Sequence, residues 1–312
     1  MKYVKYGSVA VVVAALLWSL DGLLRLHLYS LPASVIVFWE HAFGLLLLLP
    51  VIIVSFKAFK KLTRRQWLAI IGVSLLSGAV GTILYTAALS QIQFIPFSVV
   101  VLLQQTNPIF AITASALLLK EPLTRKFFGL AALALIGAYF VSFPDLIVNF
   151  STGSGTLVAA LLALGAAACW GSSTAFSKYA LQGTSSLHIT AARFGFTPIF
   201  ALIFVILSGN TASLGAITFE QFMYLIAITF STGLLALAIY YFGLKRVPAS
   251  RSAILELAWP LSAVLVGYLF LGQALSLTQA IGVLVLVATT YLISRDAQKV
   301  EAVLLKNRKS IN

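Results

Sequence analysis

Residues 15–22 read ALLWSLDG and residues 167–174 read AACWGSST, which sets Trp18 on Trp170 at an offset of 152. The same offset sets Pro96 on Pro248, Pro108 on Pro260, Leu123 on Leu275, Tyr139 on Tyr291 and Ser142 on Ser294. Tyr85 meets Tyr240 at 155, so one copy carries a small length difference nearby. The chain reads as an internal duplication joined at STGSGT (151–156). The expected division is residues 1–148, residues 149–296, and a basic tail at 297–312.

Each copy is built for hydrocarbon. Of 312 residues, 61% are hydrophobic and 9% charged, too little charge for a soluble domain of this length. A membrane helix needs roughly 17–25 apolar residues. Ten such runs follow one another: 6–26, 31–56, 66–90, 95–119, 126–144, 155–178, 187–208, 218–243, 249–271 and 276–294. The alternating ten-residue segments of a membrane β-barrel are missing. The expected fold is an all-α integral membrane protein of ten transmembrane helices. Five spans per copy turn the second copy upside down, giving two inverted five-helix repeats, a plan common among secondary transporters.

A net charge of +13 could suggest nucleic acid, but its placement points to a bilayer. With a cytoplasmic N-terminus and ten alternating spans, all but Arg25 and Arg193 of the 21 Lys/Arg fall inside, as the positive-inside rule requires. Both termini are expected in the cytoplasm and the chain in the cell membrane, with lipid and a small-molecule substrate as partners and no nucleic acid. A monomer or a homodimer fits equally. The tail RDAQKVEAVLLKNRKSIN is expected as a solvated anchor near anionic lipid. The first span is too long for a signal peptide and lacks a small-residue cleavage pattern. Cys169 alone excludes an intramolecular disulfide and a cysteine-based metal site.

Two five-span copies, opened by ALLWSLDG and AACWGSST, with LLLKEPLT (117–124) and LFLGQALS (269–276) joining their last two helices, resemble the EamA-type branch of the drug/metabolite transporter superfamily. The resemblance covers roughly residues 7–294. It implies a central cavity between the repeats and transport, usually export, of small metabolites such as amino acids, without fixing the substrate. Its most recognisable local mark is the Glu121 turn; the second copy has Gln273 there.

The polar residues inside the spans are the candidate site. QQTNP (104–108) aligns with ELAWP (256–260). Each proline leaves free the carbonyl of a residue that also bears a polar side chain, Gln104 or Glu256. Two symmetry-related polar kinks point to a wet central path, the alternative being mechanical kinks bonded to neighbouring helices. Asp21 and Arg25 are spaced to meet on one helix face, as substrate contacts or as a structural pair. Glu40 and His41 lie near mid-bilayer, where a charge costs at least ~2.5 kcal/mol. Burial disfavours a charged carboxyl, which makes these two the proton-coupling candidates; the competing reading pairs Glu40 with Arg193 or another donor. Trp18, Tyr85, Trp170, Tyr240 and Trp259, with Asn107, complete the expected substrate wall, where aromatic faces can stack on a ring or a cation. Lys178 is expected to snorkel to the surface.

The expected activity is alternating-access export of amino acids or related amines, with proton coupling open and no cofactor or bound metal. Three mid-span acids against one clear base lean toward a cationic or zwitterionic solute. A channel-like permease is the alternative, separable by saturation and trans-stimulation. An enzyme is disfavoured: H-E-x-x-H and G-x-S-x-G are missing, and so is a P-loop. A rhodopsin-like receptor would carry a lysine in the last span, 276–294, which has none.

Overall fold

A computed structural model of the protein describes residues 2–91, 103–142, 155–259, 262 and 276–309. The described residues form helices and turns, with no strand among them. Among the described residues, ten main helices make up the two copies. The first five are α1 (Tyr6–Arg25, broken by a turn at 19–20), α2 (Ala33–Val54), α3 (Arg64–Ser90), α4 (Asn107–Leu119) and α5 (Arg125–Ser142). The second five are α6 (Gly155–Ala180), α7 (Ser186–Leu207), α8 (Phe219–Leu244), α9 (Ala249–Leu255, prolonged by a 3₁₀ turn Glu256–Ala258) and α10 (Leu277–Lys309). Six of them, α1, α2, α3, α6, α7 and α8, are long and apolar enough to cross a membrane; α4 and the Leu277–Ile293 part of α10 are shorter apolar helices. Pro96, Pro260, Gln273 and Leu275, and most of the joint at 151–156, lie outside the described residues.

Packing follows the duplication. Like packs with like where the copies meet: α2 on α7, α4 on α9, α5 on α10. Other partnerships are reciprocal: α1 on α8 with α3 on α6, α4 on α6 with α1 on α9, and α3 on α7 with α2 on α8. Such exchange is the mark of a two-fold relation. The connections show that the axis lies in the membrane plane. At one end, Gln221 Nε2 donates to Ser30 Oγ (2.8 Å) and Trp39 Nε1 to the Leu214 carbonyl (3.3 Å), so the α1–α2 and α7–α8 connections share a face. At the other, Gln66 Nε2 donates to the Gln182 carbonyl (2.8 Å) and Lys245 Nζ to the Thr184 carbonyl (2.6 Å), which gathers the α2–α3, α6–α7 and α8–α9 connections. The first connection of one copy therefore faces oppositely to the first of the other.

Local structure repeats as well. Thr63 with Gln66 and Thr218 with Gln221 form capping boxes at the starts of α3 and α8, each satisfying two otherwise orphaned amides. Midway, both helices loosen into π-helical stretches, Ser74–Gly81 and Thr229–Leu235, a distortion frequent at functional sites. Small residues set the close approaches, as expected where lipid offers no hydrophobic drive between helices: Ala159, Ala163, Ala166 and Ala167 of α6 are fully buried. A Cβ on Gly81 would sit 2.8 Å from the Trp170 indole, so only glycine lets α3 meet α6 there. Large apolar side chains such as Val54, Leu117 and Leu207 point outward, as on helices that face lipid.

The apolar part of α10 ends at Ile293, beside the expected 294, and the helix continues to Lys309, because good helix formers follow the apolar run. The root of the tail is also bound: Asp296 pairs with Arg251 at 3.1 Å. Lys178 does not snorkel; its ammonium donates to the carbonyls of Leu244 (2.9 Å), Lys245 (3.2 Å) and Val247 (2.8 Å), tying α6 to the α8–α9 connection.

Candidate functional site: a cavity between the two copies

One cavity is lined from both copies. All eleven residues singled out in the sequence border it: Trp18, Asp21, Glu40, His41, Tyr85, Gln104, Asn107, Trp170, Tyr240, Glu256 and Trp259. Its walls come from α1–α4 and their counterparts α6–α9, so the duplication itself makes the space.

Two aromatic pairs face this cavity and are copies of each other. Trp18 and Tyr240 have ring centroids 5.0 Å apart at 54°, and Tyr85 and Trp170 5.1 Å apart at 54°. Each indole is anchored to a π-helical stretch: Trp18 Nε1 donates to the Thr232 carbonyl (3.0 Å) and Trp170 Nε1 to the Ser77 carbonyl (3.1 Å). A π-helical turn frees carbonyls from the i→i+4 ladder, and the tryptophans take them. Position and tilt of both couples are thereby set before any solute arrives.

The charged groups break the symmetry. Arg25 is 2% exposed and bridges three helices. It donates to Asp21 Oδ2 on its own helix, to Glu40 Oε2 on α2 (2.7 Å) and to Thr86 Oγ1 on α3 (3.1 Å). Thr232 of α8 donates to the other Asp21 oxygen at 2.6 Å. The competing reading, a Glu40 pair with Arg193 or another donor, is met by another donor, Arg25. The count of basic residues puts Arg25 at the outer face, yet it is buried, because two carboxylates and a hydroxyl replace its water. Arg193 instead donates to the Tyr241 hydroxyl (3.1 Å) and to Ser77 Oγ (3.0 Å), and its Nε has no partner among the described residues. His41 Nδ1 bonds the Val37 carbonyl of its own helix (2.9 Å), and its ring lies 5.1 Å from that of Phe194.

Gln104, just ahead of α4, and Glu256, in the 3₁₀ turn that prolongs α9, occupy equivalent positions in the two copies. The helix breaks before α4: Thr106 N bonds the Leu103 carbonyl (3.2 Å) and Ile109 N the Thr106 carbonyl (2.9 Å) in tight turns around Pro108. In the second copy the break is the 3₁₀ turn beginning at Glu256. Glu256 Oε1 accepts from the Tyr240 hydroxyl at 2.7 Å, and among the described residues no cation lies within ion-pair distance. Gln104 Nε2 donates to the Ala163 carbonyl at 2.8 Å, which leaves Oε1 buried without a donor. Sequence reasoning missed Ser77, Ser173, Thr174 and Thr232 on this wall, and named Arg193 only as a possible partner of Glu40. Lone hydroxyls in apolar helices give no signal alone, though the 152-residue offset from Asp21 could have found Ser173.

Inverted helical repeats around a shared cavity of aromatic and buried polar side chains define a membrane transporter. The EamA-like transporter family matches residues 5–143 and again 157–295, and the chain belongs to that family, within the drug/metabolite transporter superfamily. It is 32% identical over 297 residues to the riboflavin transporter ImpX of Fusobacterium nucleatum subsp. nucleatum, covering 93% of this chain and 97% of that one. It is 24% identical over 247 residues to an uncharacterized transporter of Clostridium kluyveri, covering 78% of each. A solved crystal structure, 18% identical, superposes with a TM-score of 0.72 over 95% of this chain and 98% of that one; at that identity it speaks for the fold alone.

Proposed function

We propose that this transporter carries riboflavin, or a flat uncharged heteroaromatic solute closely like it, by alternating access between its two repeats. We place it in the cell membrane with both termini in the cytoplasm. The observation that carries the reading is the pair of anchored Trp–Tyr couples bordering one cavity. Rigid aromatic faces suit a planar ring, and replacing one such face by alanine typically costs ~1–3 kcal/mol of stacking energy. The relative named as a riboflavin transporter is aligned over nearly the whole of both chains.

Amino acids and amines, favoured by the count of intramembrane acids, lose that support. Two of the three acids, Asp21 and Glu40, are already bonded to Arg25, and Arg193 adds a second cation to the wall. What lies outside the Arg25 cluster is one acid, Glu256, bonded to the Tyr240 hydroxyl, and one guanidinium, Arg193, bonded to the hydroxyls of Tyr241 and Ser77.

Riboflavin is fluorescent, and its emission is quenched when it stacks on indole or phenol. Titration of riboflavin with the purified protein in detergent should quench saturably. Trp18→Ala and Trp170→Ala should each weaken binding by ~10-fold. In liposomes, riboflavin uptake should saturate and be trans-stimulated. Saturable binding of leucine or an alkylamine, with none of riboflavin, overturns the proposal.

A further inference from the structure

Glu256 stands apart from the other acids of the cavity. Asp21 and Glu40 are both paired with Arg25. Glu256 accepts from the Tyr240 hydroxyl at 2.7 Å, and among the described residues it has no ion pair. A base cannot come from residues 92–102, 143–154 or 260–275 either, since these hold no Lys, Arg or His. The side chain is partly exposed and borders the cavity.

Its surroundings come from several helices. α8 brings Tyr240, and α6 brings Thr174, whose hydroxyl lies 3.4 Å from that of Tyr240. α1 brings Trp18 and Asp21, the latter bonded to Arg25. On α9 itself, Arg251 is paired with Asp296 of α10. Among the described residues, no ionisable side chain of α5 or α10 borders the cavity. His41 and Arg193 stand on the same cavity from α2 and α7, His41 bonded to the Val37 carbonyl and Arg193 to the hydroxyls of Tyr241 and Ser77. The first copy has Gln104 at the place of Glu256, and an amide does not ionise.

A carboxylate in a cavity open to water keeps its charge hydrated. The hydroxyl that bonds Glu256 belongs to the Trp18–Tyr240 couple, so a ring stacked on that couple displaces water beside the carboxylate. A flat uncharged solute brings no cation in exchange. A carboxylate stripped of water and left without a cation is strongly disfavoured. The neutral acid keeps the Tyr240 bond and has no charge to hydrate.

We infer that Glu256 is the proton-binding carboxyl of the transport cycle: it takes up one proton as the solute binds and gives it up after the solute has left. The proton comes from water on the side to which the cavity is open, forms an O–H bond at the carboxylate, and returns to water on the opposite side. Solute and proton cross together, one for one, because Gln104 carries no second proton. The empty carrier returns with Glu256 ionised and hydrated. This rests on the reading of the solute as an uncharged flavin-like ring. Binding that takes up a proton strengthens as pH falls, by at most ~10-fold per pH unit for a single proton.

The test begins with the full-length wild type. Riboflavin affinity, read by fluorescence quenching across a pH series, should rise as pH falls. At the pH where that profile is steepest, adding riboflavin to weakly buffered protein should consume protons, read with an indicator dye. Glu256→Gln, neutral and of nearly the same shape, should consume none and show a flat pH profile, whatever its absolute affinity. Wild-type binding with a flat profile and no proton uptake overturns the inference and leaves the proposed function standing. So does a Glu256→Gln protein that keeps the wild-type profile, which would move the proton to another group such as His41. Failure of the wild type to bind riboflavin at any pH removes the proposed function and this inference together.

Discussion

Arg25 shows how one side chain decides what its neighbours can do. Five guanidinium hydrogens in a fixed fork let it serve Asp21, Glu40 and Thr86 together, a task beyond the three-donor ammonium of lysine. Removing it strands two buried carboxylates. Arg25→Met should lower stability by ~3–5 kcal/mol, the usual cost of breaking a buried pair, and Arg25→Lys should recover only part. Thermal unfolding in detergent measures both. Replacing Glu40 as well (Arg25→Met with Glu40→Met) should restore stability above the single variant. No recovery would mean that Glu40 is not bound through Arg25. The same geometry bears on proton exchange. Glu40 must leave Arg25 before it can shuttle a proton, so Glu40→Gln should impair substrate counterflow and pH-driven accumulation alike. A Glu40→Gln protein that keeps counterflow and loses only the pH-driven part would restore Glu40 as a proton carrier.

At the scale of helices, the duplication decides which contacts exist, and single side chains close them. α9 begins at Ala249 behind Pro248, which offers no side-chain cap. Its first amides are met from the other repeat: Glu121, in the turn after α4, accepts from Ala249 N (2.6 Å), Ser250 N (2.9 Å) and Ser250 Oγ (2.6 Å). An acid at a helix N-terminus also suits the helix dipole. Glu121→Ala should cost ~1–3 kcal/mol, as three buried donors lose their partner. Hydrogen exchange should rise at 249–252 before it rises elsewhere, whereas uniform exchange along α9 would deny that Glu121 is the cap. Much of this level was legible. The 152-residue offset placed Trp18 with Trp170 and Gln104 with Glu256 on matching helices, because inverted copies bring equivalent residues to one shared space. The partner of Glu40 was not legible: choosing between Arg25 and Arg193 depends on how α1 lies against α2, which no periodicity within either helix encodes. The π-helical stretches were hidden too, since Ser, Thr and Gly in an apolar run fit a regular helix equally well.

For the whole molecule, the strongest constraint is that matching connections of the two copies differ in charge, one basic and the other uncharged. The connection before α3 holds Lys57, Lys60 and Lys61, with Arg64 and Arg65 opening the helix; its counterpart before α8, from Gly209 to Thr218, holds no charged residue. The α8–α9 connection carries Lys245, Arg246 and then Arg251, while residues 90–99, its equivalents, carry none. Lys120, Arg125 and Lys126 after α4 answer to Gly272, Leu277 and Thr278. Two copies in the same orientation would have no reason to diverge this way. Inverted copies do, because Lys and Arg are retained on the cytoplasmic side whichever copy supplies the loop. The hydrogen bonds agree on the grouping, since Lys245 reaches Thr184 and Gln66 reaches Gln182 at the basic face, while Gln221 reaches Ser30 at the uncharged one. The orientation can be read with single cysteines on a Cys169→Ala background. A membrane-impermeant maleimide applied to intact cells should label a cysteine at Asn210 and spare one at Lys61, and lysis should expose Lys61. Labelling of Lys61 in intact cells, with Asn210 protected, would turn the molecule over: the basic face would lie outside, and the positive-inside argument would fail for both repeats at once.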